Sequence, residues 1–165
     1  MKDLDWNTID FFEIATVAAV TSRLNSGADV NAQDQCGYTP LHFAAAFNSD
    51  PAVVKTLLNA GANLQAADHE WGATPLHWGA WSSKNPSVIT ALLDNGADPN
   101  AQDKGGGTPL HAAAFNNSNP AIVNVLLDAG AKTDIRDKES DKTPLDYVED
   151  NAALKGTNAY RRLMK

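Results

Sequence analysis

Apolar residues fall in pairs four apart at three places: Val53/Val54 with Leu57/Leu58, Val88/Ile89 with Leu92/Leu93, and Ile122/Val123 with Leu126/Leu127. That spacing puts one buried stripe on a helix. Each run begins at Asp50-Pro51, Asn85-Pro86 or Asn119-Pro120, an N-capping side chain followed by proline at the first helical position. Each ends at Gly61, Gly96 or Gly130, which suits a left-handed C-terminal stop. A second, shorter helix precedes each one. It starts at Thr39-Pro40, Thr74-Pro75 and Thr108-Pro109, and its alanines, as in "PLHFAAAF", let two helices approach closely. A truncated copy, "TPLDY", starts at Thr143. Polar stretches such as "ADVNAQDQCG" and "ADPNAQDKGG" predict hairpin-like loops that project from the helix pairs.

The Thr-Pro marker recurs in steps of 35, 34 and 35 residues, and Gly-Ala in steps of 34, 35 and 34. From Pro40, Pro75 or Pro109 to the following glycine is always 21 residues, whereas the segment from that glycine to the next proline alternates between 13 and 14. Fixed length marks packed helices and variable length marks an exposed loop. One helix pair cannot cover its own apolar faces, but stacked copies cover one another, and the outermost copies need altered faces. Both ends are altered. Arg23 stands where other copies have Leu57, Leu92 and Leu126, and Asp146 replaces the histidine of the phrase.

These residues resemble the ankyrin repeat family, whose signature is Thr-Pro-Leu-His-x-Ala at a period near 33. The matches are Thr39 to Ala44 and Thr108 to Ala113, with Thr74 to Gly79 departing only at its last position. A second signature, Leu-Leu-x-x-Gly-Ala-Asp/Asn, falls at Leu57 to Asn63 and Leu92 to Asp98, and at Leu126 with Lys132 in the final place. The resemblance covers about residues 8–155 and implies an all-α solenoid of stacked helix-turn-helix units. The expected division is an N-terminal cap over 1–36, full repeats over 37–71, 72–105 and 106–140, and a C-terminal cap over 141–165. Each repeat carries one residue more than the family's usual length at "NSDP", "SKNP" and "NSNP", which looks more like bacterial than animal members. The loops before Thr74 and Thr143 are longer by a further residue. Asp141 replaces the loop glycines Gly37, Gly72 and Gly106, so the last turn is expected to be distorted.

The formal net charge is −7, with no cluster of basic residues beyond Arg161 and Arg162, which argues against nucleic acid as a partner. Cys36 is the single cysteine, so neither an internal disulfide nor a cysteine-based metal cage can form. The opening "MKDLDWNTIDFFE" lacks a basic region followed by an apolar run. A cytoplasmic protein without membrane insertion is expected, though a trimmed secreted chain would read alike.

Candidate chemistry is sparse. His42, His77 and His111 form a possible metal or acid–base set. Equivalent positions in adjacent repeats stand about 10 Å apart, whereas a metal needs its ligands at about 2 Å. In the family this histidine bonds to neighbouring backbone and threonine groups. His69 is a loop residue in "DHEWG", most simply solvated. Cys36 and His69 lie in adjacent loops, with no third group to orient a nucleophile pair. "KGGGT" at Lys104 lacks phosphate-loop spacing. The loop acids Asp34, Asp68, Asp103 and Asp137 recur once per repeat. They read either as an acidic ladder for cations or a basic partner, or as side chains that stabilise their own turns, and the second reading is the stronger.

No catalytic set, metal site or cofactor site emerges, so a monomeric, non-catalytic protein–protein interaction module is the expectation. Alternatives are a regulatory or targeting domain of a larger enzyme or secreted effector, and a dedicated inhibitor or immunity-type protein. In family terms the partner-facing positions are Gln35, Cys36, Tyr38, Ala46 and Phe47, then His69, Glu70, Trp71, Ala73, Trp81 and Ser82, then Lys104, Gly105, Gly107, Phe115 and Asn116. Tyr38, Phe47, His69, Glu70, Trp71, Trp81, Lys104 and Phe115 form the chosen site. Thr39, Pro40, His42, Thr74, Pro75, His77, Thr108, Pro109, His111, Gly61, Gly96 and Gly130 are assigned to the scaffold. Aromatic side chains on a rigid surface suit a binding hot spot. Phe43 and Trp78 are read as core, and Trp81, Phe115 and Phe47 could instead pack between first helices. Trp6 is expected to fold onto the N-terminal cap.

Overall fold

The computed structural model describes residues 6–165; the first five residues of the expected N-terminal cap lie outside them. Ten helices follow one another among the described residues, with no strand. The N-terminal pair is α1 (Ile9–Ile14) and α2 (Val17–Asn25). Three full pairs follow: α3 (Pro40–Phe47) with α4 (Pro51–Asn59), α5 (Pro75–Ser82) with α6 (Pro86–Asp94), and α7 (Pro109–Asn116) with α8 (Pro120–Asp128). The chain closes on α9 (Pro144–Val148) and α10 (Asn158–Leu163). First helices pack on first helices and second on second, each pair against its neighbours. This is an ankyrin-type solenoid of stacked units.

The caps work as their chemistry predicts. Asp50, Asn85 and Asn119 each accept a bond from the backbone N–H of the second helical residue. Gly61, Gly96 and Gly130 hold φ of 92°, 95° and 86°, where a side chain would be strained. Leu41, Leu76 and Leu110 of the first helices and Leu57, Leu92 and Leu126 of the second are fully buried in one continuous core. Gly79 stands where the other copies carry Ala44 and Ala113. A Cβ there would lie 2.9 Å from Ile89 Cδ1 and 3.3 Å from the Ala45 carbonyl, so the absent methyl lets α5 sit close to α3.

Two sets of polar side chains tie the copies together. His42, His77 and His111 each accept at Nδ1 from the N–H of the capping threonine, at 3.0, 3.2 and 3.1 Å. That leaves the proton on Nε2, which donates to a carbonyl of the next repeat: Ala73, Gly107 or Lys142, at 3.1, 3.2 and 3.2 Å. Asp146 keeps the local half of this arrangement, accepting from the Thr143 N–H and hydroxyl, and drops the outward half, as a terminal copy should. The second set was not foreseen. Asn48 Nδ2 bonds the carbonyls of Phe12 and Ala15, Asn117 those of Ala80 and Ser83, and Asn151 those of Ala114 and Asn117. These asparagines bracket the C-terminus of the preceding first helix, and Asn48 and Asn117 begin two of the lengthened joints.

The last turn is not distorted. Asp141 takes φ 55°, in the left-handed region occupied by Gly37, Gly72 and Gly106, and the Asp137 N–H still reaches the Lys142 carbonyl at 3.0 Å. Aspartate tolerates that region better than most side chains. Trp6 is buried against Phe11 and Phe12, as expected of the N-terminal cap. At the other end Arg162 reaches back to α8, with Nη2 2.7 Å from Asp128 Oδ1 and Nη1 3.0 Å from Asn124 Oδ1.

Candidate interaction groove

The loops between helix pairs are built on their aspartates. Asp34 Oδ1 accepts from the N–H groups of Cys36 and Tyr38, Asp68 Oδ1 from Glu70 and Trp71, Asp103 Oδ1 from Gly107, and Asp137 Oδ1 from Glu139 and Ser140. One backbone bond joins each loop to the next: His69 N–H to Cys36, Lys104 N–H to Trp71, Lys138 N–H to Gly105. The loop tips thus form a connected wall. Side chains lie across its glycines. A Cβ on Gly37 would meet the His69 ring at 2.6 Å, and one on Gly72 would meet Lys104 Cγ at 2.9 Å.

Between this wall and α5, α7 and α9 runs a groove of about 650 Å³. Its apolar lining is Trp71, Ala73, Trp78, Trp81, Ala112, Phe115 and Tyr147. Trp81 and Phe115 stack with ring centroids 5.3 Å apart, and Tyr147 meets Phe115 edge-on at 5.5 Å. All three large rings at the mouth are solvent-accessible, Trp71 at 54%, Trp81 at 40% and Phe115 at 56%, which is unusual for side chains of this size. The charged lining is Glu70, Asp103, Asp137, Glu139 and Lys104.

Of the eight residues chosen from sequence, Glu70, Trp71, Trp81, Lys104 and Phe115 line this groove. Tyr38, Phe47 and His69 lie outside its lining. Tyr38 is half-buried, edge-on to Trp78 at 4.8 Å and Phe43 at 5.7 Å. Its burial, reinforced by the nearby Asp68 carboxylate, pushes its hydroxyl up to about 12. One position expected to face a partner does not: Ala46 is buried and lies outside the lining, because the stack closes over the end of α3. Ala73 is largely buried but lines the groove, and its carbonyl is held by His42.

Trp78 also departs from expectation. It is half-buried on the groove wall rather than in the core, and its Nε1–H donates to Asp68 Oδ2 at 3.0 Å. Tyr147 repeats the device one wall further on, its hydroxyl donating to Asp137 Oδ2 at 2.8 Å. Burial works against ionisation of Asp137, but the bonds from Ser140, Tyr147 and Glu139 outweigh it and hold the carboxyl below its ordinary value. The scaffold histidines at the groove floor stay neutral, since burial pushes His77 and His111 below the usual imidazole value. Sequence reasoning missed Trp78, Ala112, Asp103 and Tyr147 as a set. The signal was there in one column: the fourth helical residue is Phe43, Trp78, Ala112 and Tyr147 in successive copies.

Among the described residues no group of three or more metal-ligating side chains converges, and no helix is long and apolar enough to cross a membrane. A family model of ankyrin repeats, three copies long, matches residues 14–103 and again 80–158. A fowlpox virus (strain NVSL) protein named for ankyrin repeats is 40% identical over 46 residues, a stretch that covers 28% of this chain and 9% of that relative. The chain therefore matches only a small part of that relative's length, and the relative is viral, so the bacterial affinity read from the lengthened joints gains no support from it.

Proposed function

The chain belongs to the ankyrin repeat family, a family of protein-interaction scaffolds, and on that premise we propose that it is a non-catalytic module that binds a protein partner in the aromatic groove. The observation that carries this reading is the exposed Trp71, Trp81 and Phe115 over a preformed groove of about 650 Å³. Large rigid rings bury much area and lose little rotamer entropy on binding. The partner docks without large rearrangement, because hydrogen bonds between loops already fix the wall. In this reading the chain acts as a monomer and needs no cofactor or nucleic acid.

The test is affinity capture from extract of the source organism, with wild type compared with the Trp71→Ala/Trp81→Ala double variant. One protein is captured by wild type and lost by the double variant, while the two melt within a few degrees of each other. A partner retained by the double variant contradicts the groove as the site, and a large loss of Tm shows that these rings belong to the scaffold.

A further inference from the structure

One repeat position in the groove lining differs in size from its neighbours. At the fourth position of the first helix, Ala112 stands where the flanking copies place Trp78 and Tyr147. The missing ring leaves a gap between two aromatic residues of the lining, with the Trp81–Phe115 stack at the groove mouth.

The same substitution changes the loop acid above it. In the copies on either side, the second carboxylate oxygen is occupied: Trp78 Nε1–H donates to Asp68 Oδ2 and the Tyr147 hydroxyl to Asp137 Oδ2. Ala112 has no donor to offer. Asp103 Oδ1 is held by the Gly107 N–H at 2.7 Å, but among the described residues nothing donates to Asp103 Oδ2. Asp34 Oδ2 is equally unoccupied, but Asp34 lies outside the groove lining.

The surrounding charge is lopsided. The lining carries Glu70, Asp103, Asp137 and Glu139 against Lys104 alone, and the Lys104 ammonium already donates to the His69 and Glu70 carbonyls. Lys142 covers the Tyr147 ring at 5.0 Å but is paired with Asp150. An anionic occupant would be repelled. A purely apolar one would strip water from carboxylates and return nothing. A guanidinium on an alkyl stem satisfies both halves: its plane stacks on aromatic faces and its N–H groups fork to a carboxylate.

We infer that the groove receives a basic segment of the protein partner, with one arginine side chain laid along Trp81 and Phe115 and its head bonded to Asp103 Oδ2. This rests on the groove being the docking site and adds what kind of surface it reads.

The test uses a dye-labelled hexa-arginine peptide titrated by fluorescence anisotropy at near-physiological salt. Asp103→Asn and Asp34→Asn remove the same charge, and asparagine keeps the oxygen that accepts the turn bond, so the two variants differ only in place. Asp103→Asn weakens binding about tenfold or more, while Asp34→Asn stays within about twofold. Ala112→Phe, which refills the gap with the residue type that Phe43 represents in the first copy, also weakens binding about tenfold or more. Equal effects of the two asparagine variants, undiminished binding by Ala112→Phe, or no binding of the peptide by wild type overturns the inference. If the peptide fails while a partner is still lost in the double tryptophan variant, the docking site stands and only its basic selectivity falls.

Discussion

His42, His77 and His111 set the pH behaviour of the fold. Each is buried, and that burial holds the imidazole below its ordinary value despite the carbonyl bond that favours the charged form. In the unfolded chain these groups take up protons near pH 6.5, so the folded state binds fewer protons in that range. Stability is therefore full above about pH 6.5 and declines as the pH falls below it. Thermal melts from about pH 7.5 down to about pH 5.5 should show a falling Tm, before the carboxylates titrate. His77→Ala should cost about 2 kcal/mol at neutral pH, by removing bonds to Thr74 and Gly107, and should flatten that slope. A Tm independent of pH over this range would contradict the buried neutral state. The role of these histidines was legible because it rests on a local motif. The vacancy at Ala112 was not, because an alanine in an alanine-rich helix reads as close packing until the rings of Trp78 and Tyr147 are placed on either side.

At the scale of elements, the asparagines that begin the joints carry more than a helix stop. Asn117 donates to Ala80 and Ser83 from a site with 5% exposure, so Asn117→Ala leaves two carbonyls of the α5 end without that partner. The expected loss is about 1–3 kcal/mol by chemical denaturation. Ser118→Ala, one residue on and exposed, should stay within about 0.5 kcal/mol. Equal effects would show that the bracket contributes nothing. The helices, their caps and their glycine stops were readable because each depends on residues within one turn. The asparagine brackets were not, since their acceptors lie more than thirty residues back along the chain. The last loop was misjudged for a related reason: glycine at three equivalent sites reads as a requirement, whereas the backbone there asks only for positive φ, which Asp141 supplies.

The whole molecule is a line of units in contact with neighbours only, so its stability should be graded along the line. Amide hydrogen exchange should be slowest in α5 and α7, which are flanked on both sides, and fastest in α1, α9 and α10. Uniform protection from end to end would contradict a stack of separable units. The period and the stacking were legible at once, because two independent markers repeat together. The groove was legible only in part: Trp71, Trp81 and Phe115 could be chosen by position, but not the walls between which they sit. The central claim is that a protein partner lies in this groove, and site-specific photo-crosslinking tests it most directly. A benzophenone side chain would replace exposed Phe115 at the groove mouth or, as control, exposed Lys55 on α4. After irradiation in extract, a covalent adduct with one protein from position 115 and none from position 55 is the predicted result; an adduct from position 55 alone would place the partner on the second-helix face and contradict the account.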